Sequence, residues 1–418
     1  MAEDFNPLIH KSNYYYLIIF FVVTFISDDT FTFGTNQTFG FIIVKYVMYF
    51  LLTVLLLVKN SLQSYIYPTK ANLALVFISF AVILTAALNI DLTGGYIYQI
   101  WLALLAFLIT QYIPREQLVK VFTQYIYVLS IISIIIYIIA SYFPFLLNPF
   151  PVQMNTGDVE FHNLGIGIVF KDVQQVRNTG IYREPGVFMI YLMIAIIMEL
   201  FFNEVINKKK LIIIIIALLL TFSTAAFIIL AVVCVAYLFK NNDKNTVKNK
   251  VFILLAGVAI VVVVLLSSDI YSLVFDKIGK DSINEGSSLA RGASVLINLQ
   301  IFFDNPIKGV GISNFENSYS LYSLKLFNLN FAIGNNTNTI TTIFAIYGIL
   351  FGMIFCCLVF MLAKKLSNLI IPRVLIALAL LMMFSNEDLR YSLMSFVFLF
   401  WGLKSEPDTN DLGNAVLE

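Results

Sequence analysis

From Tyr14 to Leu403 the chain returns repeatedly to apolar runs of membrane-spanning length, and that recurrence limits the folds open to it. The runs lie at about 14–26, 39–58, 72–89, 96–113, 121–147, 187–202, 211–239, 251–267, 340–363, 369–384 and 391–403. A spanning helix needs about 20 apolar residues, fewer where it is short or re-entrant. The segments between the runs cannot clothe them. Hydrophobic residues make up 60% of the 418 and charged residues 12%, against roughly 25% charged in soluble domains. A soluble fold must present a polar exterior, which a chain of mean hydropathy +0.87 cannot furnish. The fold class that follows is all-α, a polytopic integral membrane protein. Aromatic residues near run ends, such as Tyr14–Tyr16, Tyr125 and Tyr127, suit interfacial belts. The formal charge of +1 leaves no domain-wide basic surface for a nucleic acid.

Cys234, Cys356 and Cys357 all sit inside apolar runs, without histidine or carboxylate neighbours at ligand spacing. They read as buried small hydrophobes, with neither a zinc site nor a disulfide framework. The first run is short enough for a signal-peptide core, but "TFISDDTF" follows it without a small-residue cleavage site, so an uncleaved span is expected.

Positive charge sets the expected orientation. Lys59 and Lys70, Arg115 and Lys120, Lys208–Lys210, and Lys364 and Lys365 fall in alternate short connections, which the positive-inside rule places in the cytoplasm. A further basic loop at Lys240–Lys250 breaks the parity, because one crossing separates it from Lys208–Lys210. Two crossings restore it, with the break at "TFST" (Thr221–Thr224); the competing arrangement is one long tilted helix that violates the rule. The pair gives about twelve spans, both termini cytoplasmic, and two large extracytoplasmic loops at 148–186 and 268–338, within a single membrane domain spanning 1–418. Carrier-type transporters place their sites at midplane between repeated halves. No internal repeat is visible here, and polar residues gather in the outer loops, so the site is expected outside the membrane core.

Arg177, Arg183, Arg291 and Arg390 lie on the outer side near membrane edges, against the positive-inside tendency. A guanidinium is a planar, permanently charged fork suited to paired phosphate oxygens; lipid headgroups or loop carboxylates are its bland partners. Glu184, before Pro185-Gly186 and an apolar run, suits either a helix start or a proton acceptor for a sugar hydroxyl. "EGSSLARGASVLINLQIFFDNP" reads as an amphipathic helix capped by Ser287 or Ser288 and ended by Asn305-Pro306, with Arg291 in its first turns. "GVGISNF" (Gly309–Phe315) reads as a tight turn, a weak nucleotide signal without a third glycine. Lys45 either snorkels or points at an anionic site. His162 reads as a surface residue, and Asp158/Glu160 and Asp28-Asp29 are acidic pairs of a common kind.

Taken in order, "RNTGIYREPGVF", "TFST", "LARGASV…NPIKGVGISNF" and "NNTNTITTIFAIYGILFG" resemble the O-antigen polymerase (Wzy-type) family and its relatives, the O-antigen ligases. The resemblance implies a GT-C-like, metal-independent glycosyltransferase without cofactor in the bacterial inner (cytoplasmic) membrane, its site facing the periplasm. A glycan would pass from undecaprenyl pyrophosphate to the terminal sugar hydroxyl of a lipid-linked repeat unit. Implied partners are these lipid-linked glycans, membrane lipids, and a chain-length regulator and flippase of the same pathway, and no nucleic acid. Arg177 or Arg183 matches the first-loop arginine position and Arg291 the second-loop one; Arg291 and Arg183 are the first candidates to hold pyrophosphate, followed by Arg177 and Lys308, with Lys45, Arg390 and Asn336 as further binding candidates and Glu184 as base or acceptor-orienting group.

The chain departs from relatives in two places. Ligases often carry histidine-asparagine where Asn335-Asn336 stands, and relatives often have Ser-Arg at Ser223-Thr224. The first departure favours polymerase over ligase; a flippase or other polysaccharide transporter is the non-enzymatic alternative.

Overall fold

The computed structural model describes residues 7–35, 39–60, 69–154, 160–171, 176–203, 205–240, 250, 285–329, 331 and 336–404. Its helices are α1 (Pro7–Phe25), α2 (Phe39–Lys59), α3 (Lys70–Asn89), α4 (Gly94–Tyr112), α5 (Arg115–Tyr142), α6 (Pro185–Phe201), α7 (Lys208–Leu219), α8 (Thr224–Leu238), α9 (Glu285–Asp304), α10 (Ile312–Phe327), α11 (Thr339–Leu366), α12 (Ile370–Phe384) and α13 (Leu393–Trp401). Among the described residues, five helical stretches, at 40–59, 70–89, 94–112, 115–142 and 339–366, are long and apolar enough to cross a membrane; α6, α8, α12 and the 15–25 part of α1 are shorter apolar helices. The predicted run 251–267 lies outside the described residues. The molecule is therefore a helical, multi-pass membrane protein.

The short helices are tolerable because they are central. Every residue from Gly186 to Phe201 in α6, and every residue of α13, is buried. Such helices need not match the bilayer, since protein surrounds them. Peripheral helices show the opposite pattern: α2 turns Val47, Phe50, Val54 and Val58 outward, and α3 turns Val76, Phe77, Phe80 and Ile83 outward. The same physics corrects the cysteine reading. Cys357 is exposed on α11, and Cys234 and Cys356 are only half-buried, all three as free thiols. A small apolar side chain facing lipid needs no protein cover.

The run 211–239 is two helices, as the charge parity required. Asn207 caps α7 by accepting from the Lys210 amide, and α7 stops at Leu219. Phe222 then takes a left-handed conformation, φ 46°, before α8 begins. Both ends of this hairpin are tied to the same end of the bundle: Lys210 Nζ donates to Thr123 Oγ1 near the start of α5, and Lys240 Nζ donates to the Leu200 carbonyl near the end of α6. That end also holds Lys404, which donates to the Thr110 and Ile113 carbonyls, and Arg115, which lies over the Phe202 and Trp401 rings. The turn at 220–223 belongs to the opposite end, with the loops after α1, α5 and α12.

At that opposite end two elements appear that periodicity does not announce. The 148–186 loop contains an antiparallel sheet of β1 (Val152–Met154), β2 (Glu160–Asn163) and β3 (Ile168–Phe170), with Val152 opposite His162 and Phe161 opposite Phe170. Phe161 is buried against Phe31, ring centroids 3.8 Å apart. The 268–338 loop contains the expected α9 and also α10. Helix α9 starts at Glu285, so Ser287 and Ser288 fall inside its first turn and not before it. Gly309 and Gly311 have φ of 62° and 80°, which confirms the tight turn, and Gly311 leads directly into α10.

Candidate functional site

The stretch from Arg177 to Phe188 packs where the loops of one end converge, and its glycine explains how. Gly186 is in the first turn of α6, behind Pro185. A β-carbon built there would lie 1.8 Å from Glu387 Oε1 and 3.3 Å from Asn386 Nδ2. Glu387, in the connection between α12 and α13, occupies the space a side chain would fill and sets its carboxylate against the start of α6. A helix start carries partial positive charge and favours a carboxylate there. The start of α11 clamps the connection: the Thr339 amide and hydroxyl donate to the Glu387 carbonyl, the Leu389 amide donates to Thr339 Oγ1 at 2.8 Å, and Asn338 Nδ2 donates to the Ser385 carbonyl at 3.1 Å.

Three of the four predicted arginines meet around this carboxylate. Arg291 Nη1 donates to Asn386 Oδ1 at 2.8 Å, and its Nη2 lies 3.7 Å from Glu387 Oε1. Its side chain stays 38% exposed while that of Glu387 is 3% exposed, so the guanidinium forms the open lip of the cluster. Arg183 is half-buried; its Nη2 donates to the Asp388 carbonyl and its amide to the Asp29 carbonyl at 3.1 Å. Burial works against its charge, but Asp29, Glu184, Glu387 and Asp388 outweigh burial and hold its pKa above the ordinary value. Arg177 donates from Nε to the Thr221 carbonyl at 3.0 Å and from Nη2 to the Phe222 carbonyl at 3.2 Å. It thereby closes the α7–α8 break. Burial first, then the neighbouring Arg291 charge, lowers its pKa to about 10, against the pull of Glu184 and Glu387. The charges of Arg177 and Arg291 thus feel each other, which ties the first outer loop to the second.

Glu184 precedes α6 and is exposed; its side chain makes no capping bond to the helix. It faces the cluster without serving the helix, which removes the purely capping reading. Its charge, after burial itself, is what most raises the pKa of Glu387, to about 8, while Arg291, Arg183 and Arg177 pull the other way. Burial and the Glu184 charge thus favour the neutral form of Glu387, while Arg183 is also balanced by Asp29 and Asp388. Guanidinium groups gathered at a helix start, with Arg291 open to solvent, can take a multiply charged anion.

Beneath this layer, Asp29 is buried and accepts from the Tyr191 and Ser392 hydroxyls, each at 2.5 Å. Burial raises its pKa, opposed by Arg183 and by these two hydroxyl bonds. Neighbouring Asp28 is paired to Lys45 Nζ at 2.5 Å and accepts from the Tyr98 hydroxyl. The acidic pair is therefore a structural anchor that fixes the α1–α2 loop against α2, α4, α6 and α13.

The remaining candidates separate from the cluster. Lys45 is buried in its ion pair with Asp28 and does not snorkel. Arg390 lies over the Phe315 and Tyr391 rings with Nε 3.4 Å from Asp388 Oδ2, so it braces the connection from behind. Asn336 is buried in an amide-hydroxyl network with Asn298 and Thr342 that holds α9 to α11. Lys308 follows the far end of α9, about 20 Å of helix away from Arg291. These four do not join the arginine cluster, because each is committed to a packing contact or set apart by helix length. His162, on β2, places Nδ1 3.4 Å from the Phe150 carbonyl, and Glu160 pairs with Lys171 at 2.8 Å across the sheet. Asp158 and Asn335 lie outside the described residues.

The residues that sequence reading missed are Asn386, Glu387 and Asp388. Their signal was present as "NED", three polar residues in succession within a short connection between two apolar runs.

No curated protein matches the chain. A family model does: residues 211–350, from the start of α7 past the loop of Arg291 to the kink of α11, are similar to the family described as O-antigen ligase (Wzy_C).

Proposed function

We propose that the chain is a surface-polysaccharide polymerase, which transfers a glycan from a polyprenyl-pyrophosphate carrier to the terminal sugar hydroxyl of a second lipid-linked unit. The observation that carries this reading is the convergence of Arg177, Arg183 and Arg291 on the Glu387 carboxyl at one end of an apolar bundle. Pyrophosphate leaves with high negative charge, and preorganised cations aimed at that charge lower the barrier. A lipid carrier requires such a site beside the bilayer, which the convergence at a bundle end satisfies. The matched family consists of glycosyl-transfer enzymes, which supports the reaction class.

In this reading the bond between the anomeric carbon and the pyrophosphate oxygen breaks while the acceptor oxygen bonds to that carbon. The acceptor proton goes to Glu184, which is exposed at the mouth of the cluster. Arg291 and Arg183 hold the departing diphosphate, and Arg177 supports them from the α7–α8 turn. By the charge pattern of the connections, the cluster faces the periplasm across the inner membrane.

The family description favours one other reading, a ligase that moves finished polymer onto a lipid acceptor. A deletion strain separates the two. Single repeat units on the surface glycolipid with no long chains support the polymerase, whereas polymer retained on the carrier supports the ligase. For the residue assignment, Arg291→Ala is expected to lower turnover by about 100-fold at unchanged protein level, the usual scale for losing one group that stabilises transition-state charge. A normal chain-length ladder in that variant removes Arg291 from the mechanism.

A further inference from the structure

Two turns at the site end carry apolar side chains that stand far out of the molecule, and among the described residues Leu92 and Ile90 are the most exposed large apolar side chains of all. Leu92 is 96% exposed and Ile90 90%, both between α3 and α4; Ile307 is 72% exposed and Phe303 66%, where α9 ends. Ile90 also adopts φ 52°, a left-handed conformation that a β-branched residue rarely takes. Such side chains in water would be a liability, since isolated apolar turns gain nothing there.

The two turns are one structure. Asn89 Nδ2 donates to the Lys308 carbonyl at 3.1 Å, and Asp91 Oδ2 accepts from the Ser313 amide at 3.0 Å and from the Tyr96 hydroxyl at 2.9 Å. The Tyr96 hydroxyl in turn accepts from the Ile312 amide at 2.9 Å. Both turns also crown lipid-facing stripes. The Ile349 amide donates to the Pro306 carbonyl at 2.8 Å, and Ile349 heads an outward series on α11 that continues through Met353 and Phe360. Thr85 near the end of α3 donates to the Tyr347 carbonyl at 3.1 Å, so the stripes of α3 and α11 run side by side. The exposed turns thus adjoin the surface that faces acyl chains; between Phe303 and Ile307 stands Asp304, exposed but accepting from Gln300 and Tyr322, and Lys308 stands exposed at their edge.

We propose that residues 90–92 and 303–308 form a lipid-inserted collar: Ile90, Leu92, Phe303 and Ile307 enter the acyl margin of the site-side leaflet, and Lys308 binds a headgroup phosphate there. The occupant is the bilayer itself, because the collar adjoins the lipid-facing belt and ends in a cation at headgroup level. Its consequence is positional. The collar pins the far end of α9 to the membrane surface, and the near end of the same helix carries Arg291. Lys308 then serves lipid and not substrate, which accounts for its distance from the arginine cluster. This inference is independent of which glycosyl transfer the site performs.

The test uses the full chain reconstituted in vesicles of phosphatidylethanolamine and phosphatidylglycerol. Leu92→Trp and Ile307→Trp are introduced separately, with the emission of Trp101 and Trp401 in the parent subtracted. Both positions point outward, so the larger ring displaces no packed neighbour. Expected is at least twofold quenching by lipid brominated near the top of the acyl chain, with little quenching by aqueous acrylamide. Raising the phosphatidylglycerol fraction is expected to strengthen bromolipid quenching at Ile307→Trp, and Lys308→Glu to abolish that dependence. Full acrylamide quenching without a bromolipid effect at either reporter overturns the collar. So does blue-shifted emission insensitive to both quenchers, the mark of a protein partner covering the patch. A quenching pattern that ignores lipid charge overturns the role of Lys308.

Discussion

Gly186 differs from alanine by one methyl group, and Glu387 occupies that volume. With a β-carbon 1.8 Å from Oε1, Gly186→Ala must push Glu387 away or lift the start of α6. Either shift moves the carboxyl that Arg291 and Asn386 are built around. Since displacing a reacting group by about 1 Å costs on the order of 100-fold, Gly186→Ala is expected to lose long polymer at normal protein level, measured by chain-length ladder or by turnover of lipid-linked units. Glu387 also makes a pH prediction. A carboxyl whose folded pKa lies above its unfolded value binds its proton more tightly when folded. The stability this gives is present at low pH and is lost as pH rises from about 4.5 to about 8. The detergent-solubilised protein is therefore expected to lose thermal stability from pH 5 to pH 8, at no more than about 1.4 kcal/mol per unit from this group. Glu387→Gln is expected to flatten that slope, and an unchanged slope removes Glu387 as its source. Half of this site is legible in sequence, because "REPG" concentrates charge against an apolar run. The other half is not, because nothing local in "NED" states that it will meet residues some two hundred positions earlier.

At the scale of elements, the contact between the α9–α10 turn and α11 depends on backbone that only glycine supplies. Gly348 interrupts α11 with φ 74° and ψ −170°, a region other residues scarcely enter. The Val310 and Gly311 amides donate to the Ala345 and Ile346 carbonyls, whose helical partners the kink removes. A β-carbon at Gly348 would lie 2.2 Å from the Ile307 carbonyl oxygen, and one at Gly309 2.2 Å from the Ile346 carbonyl oxygen. Gly348→Ala is expected to cost on the order of 1–3 kcal/mol from backbone strain alone and to reduce activity although it leaves every charged side chain in place. Thermal unfolding and turnover measured on the same preparation check both parts; a stable, fully active variant would show that the turn does not position α9. Helix α9 and the α7–α8 break were legible because amphipathic spacing and charge parity each leave a long signal. Helix α10 was hidden. It buries Phe315, Tyr319 and Ser323 at helical spacing, but the Ser and Asn residues between them read as loop. The sheet was hidden because strands of three or four residues are too short to show an alternation.

For the molecule as a whole, the two ends of the bundle differ in kind. One gathers Lys404 and Lys240 onto carbonyls, Arg115 onto rings and Lys210 onto the Thr123 hydroxyl, a cationic rim at helix ends. The other gathers the arginine cluster, the small sheet, α9, α10 and the exposed apolar turns. In the orientation we propose, positive-inside bias puts the first rim in the cytoplasm and the second in the periplasm. The α7–α8 hairpin makes this a sharp prediction, because joining those helices into one crossing would put every later connection on the wrong side. In a cysteine-free background, Asn314→Cys on α10 is expected to react with a membrane-impermeant maleimide in intact cells. Asn368→Cys, between α11 and α12, is expected to react only after permeabilisation. Both positions are exposed, so failure to label reports sidedness and not burial. The reverse pattern would turn Arg291 toward the cytoplasm, where repeat units are still being assembled, and would be incompatible with polymerisation after export. Equal labelling of both positions in intact cells would mean that the two ends share a side, which no even-handed threading of these helices through one bilayer permits.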